Sequence, residues 1–344
     1  MKKLLRKLYD ENNLKREEII YLLNNITKDM YPIIFEMAQN TIKNVYGNKI
    51  FIRGLMEFSN YCRNNCMYCG IRKDNKYVDR YRLSKNEIIY SLEEAHYLGY
   101  RTFVLQSGED MYYTSELMVE IIQEIKAKFP DTALTLSIGE RDFFEYEMFF
   151  NAGVDRFLLR HEIATPNLYS MFHPNMNFEN RKGCLYNLKK LGYQVGAGFI
   201  VGLPYEDNEV IADNLLFLKE FNPEMIGIGP LVPHPQTPLH YMKPGSIQKT
   251  LLLIALTRLF VPKALMPVTT ALNTLDKDGI EKGIKAGGNV LMLNLSPIHV
   301  RNKYEIYKNK ESRDISEIKT IEKRINNIGY IIDMSRGDHI DWLK

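Results

Sequence analysis

Residues 50–72 read Ile50-Phe-Ile-Arg-Gly-Leu-Met-Glu-Phe-Ser-Asn-Tyr-Cys-Arg-Asn-Asn-Cys-Met-Tyr-Cys-Gly-Ile-Arg72, an apolar, strand-like run that opens into a loop carrying three of the chain's four cysteines. Cys62, Cys66 and Cys69 supply three thiolates and withhold a fourth. A closed zinc or iron-sulfur site takes four protein ligands, so this loop leaves one metal corner free for something else. Zinc would have to recruit a distant ligand, because the nearest histidine in the sequence is His96. Unpaired cysteines can also be small buried hydrophobes. The polar flanks Asn60, Arg63, Asn64 and Asn65 speak against core packing, which leaves an iron-sulfur cluster as the favoured occupant. Cys184 stands far off in a helical pattern and reads as core.

The rest of the composition fits a soluble intracellular enzyme. The chain has 344 residues, 45% hydrophobic and 25% charged, enough for one large α/β domain. Its net charge is +3 with both signs interspersed, which suggests neither a nucleic-acid groove nor a polybasic membrane patch. No apolar run approaches the ~20 residues of a membrane helix, and the N-terminus does not read as a secretory signal. Free thiolates need a reducing compartment, so the expected location is the cytoplasm.

Outward from the cysteine loop the pattern alternates. Strand-like runs at 50–58, 101–106, 133–138, 155–160, 195–201, 225–232, 266–271 and 289–295 are separated by helix candidates near 84–98, 115–128, 142–152, 178–191, 207–221, 249–260 and 276–286. Eight strands spaced by helices predict an α/β chain folded as a complete (βα)8 TIM-type barrel, although a doubly wound sheet would read similarly. Residues 1–48 form an N-terminal helical cap in this reading, 49–310 the barrel, and 311–344 a helical tail packed on it.

A barrel places its chemistry after the C-terminal ends of its strands. The polar motifs fall there. After the first strand comes the cysteine loop, after the second Gln106-Ser-Gly-Glu-Asp110, after the third Ser137-Ile-Gly-Glu140. The fourth ends in Arg160-His-Glu162, the fifth holds Gly198-Phe-Ile-Val-Gly202, the sixth leads into Pro230–Pro238, the seventh holds Thr269-Thr270, and the eighth is followed by Arg301 and Tyr304.

The Cys-x3-Cys-x2-Cys spacing, with Tyr68 before the last cysteine, resembles the radical S-adenosylmethionine signature. Within that superfamily the chain is similar to the FeFe-hydrogenase H-cluster maturase family HydE, a relative of biotin synthase and methylornithine synthase. The motifs that carry the resemblance are Glu57–Arg72, Leu105–Asp110, Leu136–Glu140, Leu159–Glu162, Val201–Pro204, Gly227–Pro235 and Pro267–Ala271. It implies one 4Fe-4S cluster on Cys62, Cys66 and Cys69, with S-adenosylmethionine chelated at the open iron and cleaved to a 5'-deoxyadenosyl radical. It further implies an organometallic iron-carbonyl-cyanide-cysteine substrate, a reductant such as ferredoxin or flavodoxin, and other hydrogenase maturases as partners. Some family members hold a second cluster on C-terminal cysteines. No cysteine follows Cys184 here, so a second cluster is not expected.

Each rim residue has chemistry that suits a role in that setting. Ser107, Gly108 and Glu109 offer carbonyls and a carboxylate to the S-adenosylmethionine ammonium. Arg181 is a fork for its carboxylate, and Ser137 and Glu162 are acceptors for ribose hydroxyls or the amino group. Ile200, Tyr68 and Gly70 border the adenine. Glu162 and Arg181 taken singly could be an ordinary surface ion pair. Arg160, Thr269, Thr270, Arg301 and Tyr304 form a set suited to an anionic substrate, against the plainer readings of β propensity for the threonine pair and packing for Tyr304. His161 and His234 read as structural. Other readings of the whole are a methylornithine-synthase-like amino-acid mutase and, from a different class, a non-catalytic metallocluster carrier with no need of a nucleoside pocket.

Overall fold

The computed structural model describes residues 1–311 and 313–342. Three helices come first, α1 (Lys2–Glu11), α2 (Arg16–Asn25) and α3 (Tyr31–Tyr46). Then β1 (Lys49–Ser59), α4 (Lys85–Tyr97), β2 (Thr102–Ser107), α5 (Ser115–Lys128), β3 (Ala133–Ser137), α6 (Phe143–Ala152) and β4 (Arg156–Leu158) alternate. They are followed by α7 (Pro166–Phe172), α8 (Phe178–Leu191), β5 (Gln194–Val201), α9 (Asn208–Phe221), β6 (Met225–Pro230), α10 (Ile247–Phe260), α11 (Thr270–Leu275), α12 (Gly279–Lys285) and β7 (Val290–Asn294). The chain ends with α13 (Ile298–Arg301), α14 (Ile318–Asn327) and β8 (Ile331–Asp333).

The helix starts are encoded locally. Ser84 accepts the Glu87 N–H while the Glu87 carboxylate accepts from the Ser84 N–H, and Asp142 and Glu145 do the same for α6. The strands are rich in apolar residues, and every residue of β5 is buried, as expected for strands covered on both faces.

Strand order is β6-β5-β4-β3-β2-β1-β7, every pairing parallel. This is the partial barrel of parallel strands on which the site is built. The short β8 pairs with the first residues of β1. The N-terminal helices pack on the outer ring, α2 against α9 and α3 against α10 and α12.

Residues 266–271, expected as one strand, divide. Single parallel bridges join Leu265 to Met225, Val268 to Ile228 and Pro267 to Val290. Pro267 has no N–H to continue a ladder, and from Thr269 the chain turns into α11. The remaining expected strands and helices form within a few residues of their expected positions, while α7, α11, α13 and β8 were not anticipated.

Candidate active site

Because all the strands of the arc are parallel, the segments after their C-terminal ends gather at one end. There they enclose a cavity of about 360 Å³. It is lined by Cys62, Cys66, Tyr68, Cys69, Ser107, Gly108, Glu109, Ser137, Arg160, Glu162, Arg181, Ile200, Thr269, Thr270 and Tyr304. Two residues expected in the site stand elsewhere. Arg301 turns away, donating to the Ser296 carbonyl at 2.9 Å and to Asp314. Gly70 sits behind the wall, where a Cβ would lie 2.2 Å from the Glu305 carbonyl oxygen and 2.7 Å from His234. Its absent side chain serves close packing of two loops rather than contact with a base.

The cysteine loop is held rigidly from outside. Arg80 donates to the carbonyls of Ile71 at 2.8 Å, Arg72 at 2.7 Å and Asn75 at 3.2 Å, and also to that of Asn60. Asn75 Nδ2 donates to the Gly70 carbonyl at 2.6 Å. The loop meets the segment after β2 through Arg63, whose N–H donates to the Glu109 carbonyl at 3.0 Å and whose Nε donates to the Glu109 carboxylate at 2.9 Å. Gly108 permits that approach, because a Cβ there would lie 2.2 Å from the Tyr61 carbonyl oxygen and 2.7 Å from Cys62.

The three thiols fit an iron-sulfur cluster better than a single ion. Among the described residues no set of three His, Cys, Asp or Glu side chains is arranged to hold one metal ion. A cubane takes one thiolate per iron and so asks for sulfurs spread around it. Burial, reinforced by Cys69 and Cys62, raises the Cys66 thiol well above its usual range, and burial with the nearby Cys62 raises Cys69 to about 12. Three mutually repelling thiolates in one pocket call for a cationic group to replace their protons.

Beyond the loop, Arg181 from α8 is the centre of a polar network. Its Nε stands 2.8 Å from Glu140 and donates to the Tyr169 hydroxyl at 3.0 Å, and its Nη2 lies 4.0 Å from Glu109. Tyr169 stacks on His173 with ring centroids 4.2 Å apart. His173 Nδ1 faces the Tyr169 carbonyl at 2.7 Å, an acceptor only, so that nitrogen carries the proton and Nε2 accepts from the Tyr68 hydroxyl, also at 2.7 Å. Tyr68 is thereby fixed by a neutral imidazole. Glu140 was read only as the end of the rim motif Ser137–Glu140, with no role of its own, and His173 was not read from sequence, where the i,i+4 pair Tyr169 and His173 was its one local signal.

Glu162 is strained. Its φ is +63°, a left-handed conformation uncommon for a side chain of this size, imposed where its N–H donates to the Gly198 carbonyl and its own carbonyl accepts from Ile200. Burial pushes its carboxyl up, while Arg160 and Arg181 pull it down. Arg160 Nη2 stands 3.0 Å from Glu162 Oε2, yet neither atom has the alignment of a hydrogen bond. Thr269 Oγ1 is likewise buried without a partner, whereas Thr270 shares a 2.5 Å hydrogen bond with Tyr307. His161 is structural, its Nδ1 accepting from the Gly198 N–H at 3.3 Å. His234 faces Glu305 at 3.7 Å, a pairing not read from sequence. Cys184 is buried in the core.

Residues 56–218 match the Radical SAM superfamily. The chain is 41% identical over 331 residues to the FeFe hydrogenase maturase subunit HydE of Thermotoga maritima, covering 95% of this chain and 94% of that one. The chain belongs to the HydE family. It is therefore a radical S-adenosylmethionine enzyme, and the cofactors of such enzymes are a 4Fe-4S cluster and S-adenosylmethionine. Relatives of the HydE family also align: 3-methylornithine synthase of Methanosarcina acetivorans is 27% identical over 326 residues, 94% of this chain and 91% of that one. Among solved structures, methylornithine synthase superposes with a TM-score of 0.84 at 24% identity, covering 96% of this chain and 97% of that one. HydG, a maturase of the FeFe-hydrogenase, gives 0.80 at 22%, covering 96% and 75%. These two establish the fold alone.

Proposed function

We propose that this HydE-family enzyme acts on an organometallic iron-carbonyl-cyanide-cysteine precursor of the hydrogenase H-cluster, held in the cavity described above. When bound, the cluster supplies the electron that cleaves the sulfonium of S-adenosylmethionine and releases a 5'-deoxyadenosyl radical. The observation that carries the substrate reading is that the cavity joins the cysteine loop to buried donors without a hydrogen-bond acceptor, Arg160 Nε and Thr269 Oγ1, at its other lining segments. Buried donors without acceptors are costly unless a ligand supplies the acceptor. Cys62, Cys66 and Cys69 would hold the cluster. Glu109, Arg181, Ser137 and Glu162 would orient S-adenosylmethionine, and Arg160, Thr269, Thr270 and Tyr304 would face the substrate.

The bridges at 265–268 support closure of the sheet into a complete (βα)8 barrel between β6 and β7. In this reading residues 1–48 cap it and 311–344 pack upon it, with Ser312, Leu343 and Lys344 outside the described residues. An electron donor of the ferredoxin or flavodoxin kind and other hydrogenase maturases complete the system in the cytoplasm. Among the described residues no helix is long and apolar enough to cross a membrane.

The test is a reconstituted hydrogenase maturation mixture lacking its HydE-type component. The cluster-loaded protein restores hydrogenase activity, and Cys66→Ser loses both the brown chromophore and deoxyadenosine formation. The alignment with methylornithine synthases keeps one second reading in play, so failure in that mixture together with rearrangement of an amino acid such as lysine would replace the maturase reading with a mutase one.

A further inference from the structure

One wall of the cavity comes from outside the strands. Tyr304, Ile306, Tyr307 and Lys310 line it from the segment after α13. Several contacts tie that strap, among them these: the Gly70 N–H donates to the Ile306 carbonyl at 2.8 Å, Thr270 shares its hydrogen bond with Tyr307, and Lys310 Nζ donates to Glu57 Oε1 at 2.5 Å. The Glu57 side chain is wholly buried and that of Lys310 is 7% exposed.

A buried ion pair is a poor device for stability, since desolvation offsets most of the attraction and an apolar pair of similar shape does as well. Its geometry indicates another use. Asn294 Nδ2 donates to the second Glu57 oxygen at 2.9 Å, so the carboxylate is fixed from both sides. An ammonium has three donors. Glu57 takes one, and the Tyr304 ring centroid lies 5.2 Å from the nitrogen. Among the described residues Lys310 has no other hydrogen-bond acceptor, and it borders the same cavity as Arg160 Nε and Thr269 Oγ1, both without a hydrogen-bond acceptor.

We propose that Lys310 is a substrate-recognising residue, its ammonium set by Glu57 so that the remaining N–H groups take the carboxylate of an amino-acid-bearing substrate. The proposal rests on the substrate reading above and names the group that the strap recognises. Tyr304 beneath the ammonium favours a localised cation at that spot. A lysine on a strap tied to the cysteine loop would couple recognition of that carboxylate to closure beside the cluster.

The test uses cluster-loaded protein with S-adenosylmethionine bound and two probes without free thiols, S-methyl-L-cysteine and its decarboxylated counterpart 2-(methylthio)ethylamine, titrated by calorimetry. Wild type is expected to prefer the acid at least tenfold. Lys310→Met brings the two probes within about twofold, and Lys310→Arg keeps part of the preference. Because Lys310→Met strands a buried carboxylate, the neutral double variant Glu57→Gln/Lys310→Met is measured beside it and gives the same loss in a folded protein. Retention of the full preference by both methionine variants overturns the role of Lys310 and leaves the substrate reading standing. A wild type that binds the two probes equally, or neither, also overturns the proposal, and the maturation mixture then decides the substrate reading independently.

Discussion

Arg80 was not read from the sequence, and its replacement gives the sharpest test of how the cluster is kept. Its guanidinium closes the cysteine loop onto itself through four carbonyls, those of Asn60, Ile71, Arg72 and Asn75. A hydrogen bond from a charged donor is worth ~1.5–3 kcal/mol, but Arg80 is half-buried and water replaces part of what is lost, so about 1 kcal/mol per bond is the better measure. Arg80→Met keeps much of the stem packing and removes all four, weakening closure of the loop by about 3–4 kcal/mol. At 1.4 kcal/mol per factor of ten, the open form of the loop gains roughly 10²–10³ in population. The assay is anaerobic release of iron from the reconstituted protein to an excess of chelator, followed as a first-order rate. Release should quicken by about a hundredfold while far-UV dichroism stays unchanged. A variant releasing iron within threefold of wild type would show that the clamp does not govern cluster retention.

Arg181→Ala removes the partner of Glu140 and Tyr169, so calorimetry on the loaded protein should show S-adenosylmethionine binding weakened by ~1.5–3 kcal/mol, with Arg181→Lys failing to restore it. Thr269→Val should lower substrate-coupled turnover in the maturation mixture more than Thr270→Val does, because the Thr269 hydroxyl is unpartnered while that of Thr270 is committed to Tyr307; equal effects would contradict this division. His161 and His173 are both held by burial to about 3, whereas an unfolded imidazole titrates near ~6.5. Their folded pKa values are depressed, so the stabilisation is complete above pH ~6.5 and falls as the pH drops toward 3, by about 1.4 kcal/mol per pH unit for each ring. Denaturant unfolding of His173→Gln should show a shallower acid slope by one such contribution, and an unchanged slope would mean that His173 is not buried neutral.

The cysteine loop and the alternation around it were legible because both depend on short-range patterns, ligand spacing in one case and apolar periodicity in the other. Thr269 was expected within a strand; Pro267 two residues before it shows in retrospect why the ladder stops. The helix α7 is too short for a periodic signal, and β8 is a three-residue strand without alternation. Arg301 and Lys310 illustrate the limit for single charges. Both are basic residues after the last expected strand, yet one is bound by the Ser296 carbonyl and Asp314 while the other reaches Glu57, which lies 253 positions away in the chain. No local pattern distinguishes them, since the choice is made by the path of the backbone between α13 and α14.

The strap that carries Lys310 also imposes an order on the birth of the enzyme. The cysteine loop is made first, and the residues that wall its cavity, Tyr304 to Lys310, follow only about 235 positions after Cys69. Chains fold progressively from the N-terminus during synthesis, so on the growing chain the thiols lack this wall until the strap has been made. Delivery of iron and sulfide has an unobstructed window before the Gly70–Ile306 link forms, and afterwards the same link hinders their escape.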